Sequence, residues 1–276
     1  MKQKVPDQLH SERYEKYREK LQQMRLIDDD FMTEVFLDKK CAELLLQTIL
    51  QRTDIFVKKV QTQHVIHNFG GKSVRLDMQI EDSEGKLYNV EIQRSDHGSI
   101  PQRARYNSNA LDSICMPKGE DYGKMPETYV IFITEHDIFH AGFPLYHVER
   151  IIIETGNLFC DGAHILYVNS QIQNHSPLGR LMHDFYCENV NDMFYETLRK
   201  RAYYFKQDEE GVRHMCRLME ELANESRAEG RAEGRAEGRA VTLVELVKDG
   251  ILTKEQAAEQ FGSTYEKLQQ TAARVQ

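Results

Sequence analysis

Long apolar runs are missing from this sequence. The longest, such as Tyr129 to Ile133, fall far short of the roughly 20 residues that span a bilayer as a helix, so no membrane partner is expected. The opening Met1-Lys2-Gln3-Lys4-Val5-Pro6 lacks the apolar stretch of a secretory signal. Paired cysteines are missing too. Cys41, Cys115, Cys160, Cys187 and Cys216 form no Cys-x-x-Cys pair. An odd, dispersed set argues against a disulfide framework and against a structural zinc site, and for reduced thiols in the cytoplasm. A basic excess is also absent. The net charge is −8, so composition alone does not advertise affinity for nucleic acid, and any such affinity needs a local basic groove or bound cations.

Two chemical signatures are absent as well. Gly70-Gly71-Lys72-Ser73 lacks the leading glycine of a nucleotide-binding loop and reads as a turn between strands. His136 and His140 are four apart, but Asp137 stands where a metalloprotease helix has glutamate, and the pair directly follows a strand. His183-Asp184 reads as a polar contact, with nothing to make it a catalytic pair.

What is present suits a soluble globular protein: 276 residues, 40% hydrophobic and 29% charged, enough for one sizeable core plus appendages or for two small domains. Residues 7–25 form an amphipathic helix with Tyr14, Tyr17, Leu21 and Met24 as its apolar stripe. A second helix is expected from about Phe31 to Arg52, on the spacing of Val35, Phe36, Cys41, Leu44, Leu45 and Ile49. Asp28-Asp29-Asp30 supplies its cap and favourable charge.

The period then changes. Ile55 to Asn68 reads as strand. Ser73 to Glu81 alternates, with Val74, Leu76, Met78 and Ile80 on one face and Ser73, Arg75, Asp77 and Gln79 on the other. Leu87 to Arg94 alternates likewise, Tyr88, Val90 and Ile92 against Asn89, Glu91 and Gln93. The loop Ser83-Glu84-Gly85 joins them, with Gly85 in the left-handed position of a bulge turn. Ser99 and Pro101 open a helix to about Met116. Thr128 to Thr134, apolar in its middle, is expected at the centre of a sheet. Residues 145–168 mix short strands and loops, and Leu178 to Phe205 reads as helix.

From Arg227 the tetrad Arg-Ala-Glu-Gly repeats, ending at Arg239-Ala240. Each glycine weakens an isolated helix by roughly 1 kcal/mol, yet together they cut a smooth groove along one face. A solvated spacer and a self-association element both fit; the second makes the protein a homo-oligomer through its C-terminal repeat helix. The tail, 241–276, is read as two short helices, the first marked by Leu243, Leu246, Val247 and Ile251. The second opens at Thr253-Lys254-Glu255-Gln256 with a partial capping box.

The hairpin carries the chemistry. If Asp82 pairs with Lys86, stepping outward sets Asp77 opposite Glu91 on the polar face, with Gln93 two residues on. Facing carboxylates repel and weaken a hairpin. They become useful when a hard divalent cation sits between them, and the Ile92 carbonyl offers a third oxygen. The competing reading is a solvent-facing sheet surface on which Arg75 neutralises one carboxylate.

The run Ser73-Val-Arg-Leu-Asp-Met-Gln-Ile, a glycine turn, then Tyr88-Asn-Val-Glu-Ile-Gln-Arg resembles the catalytic hairpin of PD-(D/E)XK nucleases. Its Glu-Ile-Gln ending is similar to the transposase-like, recombination-promoting branch, where Gln often replaces the usual Lys. Leu26-Ile-Asp-Asp-Asp-Phe-Met-Thr-Glu-Val-Phe36 resembles that branch's acidic helix start, and Arg103-Ala-Arg-Tyr-Asn107 its Arg/Tyr helix. The likeness spans roughly residues 25–205 plus the repeat and tail.

The resemblance implies an α/β, restriction-endonuclease-like core (αβββαβ) with a helical C-terminal extension. It divides the chain into an N-terminal amphipathic helix (1–25), a nuclease-like domain (26–205), a helical linker with the repeats (206–240) and a small helical tail (241–276). It implies a metal-dependent endonuclease acting on DNA in bacterial recombination or transposition. Asp77 and Glu91 would be catalytic metal ligands with the Ile92 carbonyl, for Mg²⁺ first and Mn²⁺ or Ca²⁺ as alternatives. Gln93 would stand where a Lys orients the attacking water, although an amide is neither cation nor base. Asp29 is the acidic residue chosen at the first helix, with Asp28 and Asp30 as competitors and simple capping as the other reading. Arg75 and Arg103 are the nucleic-acid contacts; Arg103 alternatively braces Glu91 or is a solvated helix charge. The rival function is a catalytically degenerate, oligomeric DNA-binding protein that keeps the fold.

Overall fold

The computed structural model describes residues 7–66, 74–94, 99–116 and 119–273. The chain begins with α1 (Asp7–Gln23), α2 (Asp29–Phe36) and α3 (Lys39–Leu50), followed by β1 (Val57–Ile66), β2 (Val74–Asp82) and β3 (Leu87–Gln93). Helix α4 (Pro101–Cys115) leads to β4 (Thr128–Thr134), β5 (Leu145–Val148), the ribbon strands β6 (Ile151–Ile152) and β7 (Asn157–Leu158), and β8 (Ala163–Asn169). Then come α5 (Pro177–Tyr186), α6 (Glu196–Gln207), α7 (Glu209–Lys248), α8 (Lys254–Phe261) and α9 (Tyr265–Ala273). Two units divide this chain, Arg18–Val212 and Met1–Tyr17 with Arg213–Gln276.

The first unit is built on a six-stranded sheet in the order β1-β2-β3-β4-β8-β5. β1, β2 and β3 are an antiparallel meander. α4 then carries the chain across to β4, which lies parallel to β3 and to β8. Every residue of β4 is buried, as its apolar run requires of a central parallel strand. Ala104, Ala110 and Leu111 of α4 pack on Val130, Phe132 and Tyr167, covering one sheet face. Met78, Ile80, Val90, Ile131 and Val168, on the opposite face, are buried as well. The restriction-endonuclease-like α/β core is therefore present, with the long helical C-terminal region.

Local side-chain chemistry breaks two helices that hydrophobic spacing reads as continuous. In place of one helix from Phe31 to Arg52 there are two, because Asp38 accepts the N–H groups of Lys40 (2.9 Å) and Cys41 (3.2 Å) and caps a new start. Asp28 occupies the N-cap position of α2, but its carboxylate caps nothing there; it accepts from the Arg25 N–H at 2.8 Å instead. Asp29 and Asp30 do bring favourable charge to the first turn. Likewise Leu178 to Phe205 is two helices around a 3₁₀ turn at Val190–Asp192. Buried Asp184 accepts the N–H groups of Phe194 (2.7 Å) and Tyr195 (2.8 Å), which anchors the turn leading into α6. The turn at Gly70–Ser73 and the end of the first strand at Asn68 lie outside the described residues.

In the second unit, Leu243, Leu246 and Val247 belong to the last turns of α7 rather than to a separate short helix, and Ile251 is exposed beyond it. Ala240 and Leu243 pack with Ala257 of α8 and Leu268 and Ala272 of α9. The capping box at α8 is complete: Thr253 Oγ1 accepts the Gln256 N–H and Gln256 Oε1 accepts the Thr253 N–H.

The repeat lies within α7. A Cβ at Gly230, Gly234 or Gly238 would meet nothing within 4 Å. Replacing all three with alanine should therefore raise helix stability by about 0.5–1 kcal/mol per site. Higher ellipticity and a higher melting temperature would be the readout. A triple variant that loses oligomeric mass would instead mark the glycine groove as a contact surface.

Candidate active site at the β2–β3 hairpin

The site begins with its turn. Asp82 Oδ1 accepts the N–H groups of Glu84 (2.9 Å) and Lys86 (3.0 Å), and Oδ2 accepts the Tyr88 hydroxyl at 2.7 Å. The Asp82 N–H donates to the Lys86 carbonyl at 3.1 Å, and Gly85 takes the left-handed φ of 84° that the turn needs. This locks the register Glu81–Leu87, Ile80–Tyr88, Gln79–Asn89 and Met78–Val90. The β2–β3 ladder ends at Met78–Val90; next to it the Asp77 N–H donates to Glu91 Oε1 at 3.3 Å, and Leu76 packs with the α4-side core.

The register with β4 and β8 puts Glu91 beside Phe132 and Tyr167, on the face that α4 covers. Sequence alternation marks this face as polar, which is compatible with a solvent-facing surface. It is instead buried: Asn89 and Glu91 are fully enclosed and Gln79 nearly so. Alternation reports which residues share a face; it does not report whether a later helix closes over them.

Arg103, in the first turn of α4, reaches down to Glu91. Its Nη2 donates to Glu91 Oε2 at 2.7 Å and its Nη1 to Gln93 Oε1 at 3.2 Å. Asn89 Nδ2 donates to Glu91 Oε1 at 3.1 Å, and Gln93 Nε2 makes a long 3.5 Å contact with Oε2. Of the readings open for Arg103, the structure has it bracing Glu91. Burial, reinforced by the Asp77 charge, pushes the Glu91 carboxyl up to about 7 against the pull of Arg103 and the Asn89 and Asp77 hydrogen bonds.

Arg94 follows Gln93 and ties the end of β3 to the acidic helix start. Its guanidinium meets Asp28 at 3.0 Å and Glu135 at 3.4 Å. Asp28, Asp29, Asp30 and Arg94 line a common cleft of about 420 Å³. Asp28 bonds to Arg25 and Arg94, and Asp29 is the first residue of α2 on the same cleft. Arg75 stands opposite Val65 in the β1–β2 ladder, and its side chain lies outside the described residues.

The donor set fits a hard divalent cation. The Asp77 charge acts on the buried Glu91 carboxylate, to which the Arg103 guanidinium is bonded. Leu87 and Gln93 bond their main chains to the β4 side, so the alternate residue Ile92 turns its carbonyl toward β2, beyond the last registered pair. One rung along, Gln79 Oε1 and Asn89 Oδ1 are buried acceptors without a partner among the described residues. Waters kept by a hydrated ion would need such acceptors.

The sequence model of the PD-(D/E)XK nuclease family transposases matches residues 31–177, more than half of the chain. The chain belongs to that family. No curated protein and no solved structure matches it. The match runs from α2 to the first residue of α5 and contains the whole hairpin and α4. PD-(D/E)XK nucleases generally use divalent metals, and a nuclease family implies DNA as the substrate.

Sequence reasoning missed Asn89 and Arg94. The only signal for Asn89 is its place two residues before Glu91 on the same face, and for Arg94 its adjacency to Gln93.

A stability test follows from the Glu91 shift. The carboxyl titrates near 4.5 when unfolded and near 7 when folded, so its contribution to stability is fully present below 4.5 and is lost as pH rises to 7. Glu91→Gln escapes that loss. At pH 8 in EDTA the variant should be more stable than wild type by roughly 1–3 kcal/mol, and the advantage should vanish below pH 4.5. Urea denaturation at the two pH values measures it; a variant destabilised at pH 8 would mean that Glu91 is not under this penalty.

Proposed function

We propose that the protein is a divalent-metal-dependent DNA endonuclease of recombination or transposition, with Asp77, Glu91, Gln93 and Asp29 as its catalytic residues. The observation that carries this reading is the buried Glu91 carboxylate, which accepts the Asp77 N–H at 3.3 Å and is braced by Arg103 at 2.7 Å.

Asp77, Glu91 and the Ile92 carbonyl would hold the ion, Mg²⁺ first, with Mn²⁺ or Ca²⁺ as alternatives. When bound, it would supply an activated water and charge stabilisation at the scissile phosphate. Arg103 fixes the Glu91 carboxylate in one orientation and brings a permanent positive charge beside Gln93. The Gln93 amide orients and cannot deprotonate, since its carbonyl takes an Arg103 N–H and its NH₂ points at Glu91. Asp29 adds an acidic group on the cleft that Arg94 shares. Arg75 and the exposed side of Arg103 are the phosphate contacts in this reading, and the five free cysteines suit a reducing cytoplasm. Self-association through the C-terminal repeat helix is part of the same proposal.

Nicking of supercoiled plasmid, with EDTA, Mg²⁺, Mn²⁺ or Ca²⁺, tests it. Wild type should nick only with metal, and Asp77→Ala and Glu91→Ala should each lose about 100-fold or more of the rate, on the order of 3 kcal/mol of transition-state stabilisation. Full activity in Arg75→Ala would remove Arg75 from the site. Folded protein that fails to nick with every one of these metals would favour the non-catalytic DNA-binding reading, to which the net charge of −8 and Gln93 lean.

A further inference from the structure

Outside the hairpin and outside the stretch matched by the family, the described residues contain one group of three mixed metal-ligand side chains. His183, Asp184 and Cys187 lie at the C-terminal end of α5, with ligand atoms all within 4.8 Å of one another. The chain has no Cys-x-x-Cys pair, and the fold gathers this mixed set instead.

His183 Nδ1 stands 3.5 Å from Asp184 Oδ1 and 3.4 Å from Cys187 Sγ. The first is too long for a good N–H···O hydrogen bond, which clusters at about 2.7–3.2 Å. Both match the edges of a tetrahedron built from zinc bonds of about 2.0–2.3 Å to nitrogen, oxygen and sulfur, which come to roughly 3.3–3.6 Å. Asp184 is fully buried, and its one ion-pair partner among the described residues is His183. Each Asp184 oxygen accepts one main-chain N–H, Oδ1 from Phe194 and Oδ2 from Tyr195, and each keeps a second lone pair. Cys187, half-buried, can turn to shorten the remaining edge, and half-exposed His183 leaves an entry path. Lys206 opposes a cation here, but its ammonium is bonded to the Gln22 and Glu188 carbonyls, and Asp192 offsets it near Cys187.

We infer that His183, Asp184 and Cys187 form a second metal site, selective for Zn²⁺-class ions over Mg²⁺, with the fourth position open to water. The ligand set decides the selectivity, since thiolate and imidazole suit Zn²⁺ and not Mg²⁺. A thiolate and a carboxylate balance the double charge of the ion. Its effect would be to clamp the end of α5 to the turn that starts α6. The proposal does not depend on the nuclease reading.

The chelator-stripped full chain is titrated with Zn²⁺ against a chromogenic indicator. Asp77→Ala/Glu91→Ala, Cys187→Ser and His183→Ala variants run in parallel, with folding checked by circular dichroism. One zinc should bind per chain with the hairpin changed. Cys187→Ser and His183→Ala should each weaken it by more than the roughly 10–100-fold that loss of an outer-shell partner costs. Should either variant unfold, Co²⁺ loading of wild type decides: tetrahedral visible bands with a thiolate charge-transfer band support the site. A spectrum without the thiolate band, zinc bound by both variants as by wild type, or no zinc retained once the hairpin is changed would overturn it.

Discussion

The ion pair between Arg103 and Glu91 joins the elements around which the site is arranged. Burying a carboxylate costs several kcal/mol unless charge and hydrogen bonds replace its water. Here the replacement comes from three directions: the guanidinium of α4, the amide of Asn89 on the same strand, and the main chain of Asp77 on the neighbouring strand. Such a cluster contributes little net stability, because its gains go largely to offset desolvation. What it does is discriminate between packings. A shift of α4 along the sheet by one turn would leave a buried charge unpaired, and a slip of β3 by one residue would put Val90 or Ile92 under Arg103.

That slip is prevented at a distance. Asp82 closes the turn with both of its oxygens, and Lys86 pairs with Glu84 at 3.3 Å and Glu127 at 3.2 Å, tying the turn to the residue before β4. At the other end of β3, Arg94 is held between Asp28 and Glu135. The strand that carries Glu91 and Gln93 is thus pinned at both ends by ion pairs to different elements. The pins are partly exposed, so each contributes modestly. Their value lies in fixing position, which is what a pair of neighbouring carboxylates needs if it is to meet one ion.

Much of this was legible in the sequence because the hairpin is local. Period-two alternation, a three-residue loop and one glycine suffice to bring Asp77 and Glu91 near each other, and the wholly apolar Thr128–Thr134 announces a central strand. The features that escaped reading are those where a polar side chain serves a distant or unexpected backbone. Asp38 looks like one charge in a helical run, yet it ends one helix and caps the next. Asp184 looks like half of a polar pair, yet it organises a turn ten residues on. The polar face of the hairpin looks solvated because nothing in β2 or β3 records that α4 will cover it. Whether Arg103 meets phosphate, water or Glu91 depends on the crossover geometry between β3 and β4, which spacing does not contain.

Gln93 changes meaning once that geometry is known. Taken alone, an amide where PD-(D/E)XK nucleases usually have lysine reads as lost chemistry. In place, the side chain at this position must accept a hydrogen bond from Arg103 and offer a donor toward Glu91. Lysine has three donors and no acceptor, and would set an ammonium against the guanidinium. Glutamate could accept from Arg103 but would put a third carboxylate beside Glu91 and Asp77. Glutamine has one acceptor and two donors and no charge; it accepts from Arg103 at 3.2 Å and turns its NH₂ toward Glu91 at a long 3.5 Å. The positive charge that a lysine would bring along the strand is instead supplied from above, by the helix. On this account Gln93 and Arg103 form one unit, and the identity of residue 93 follows from the cation on α4.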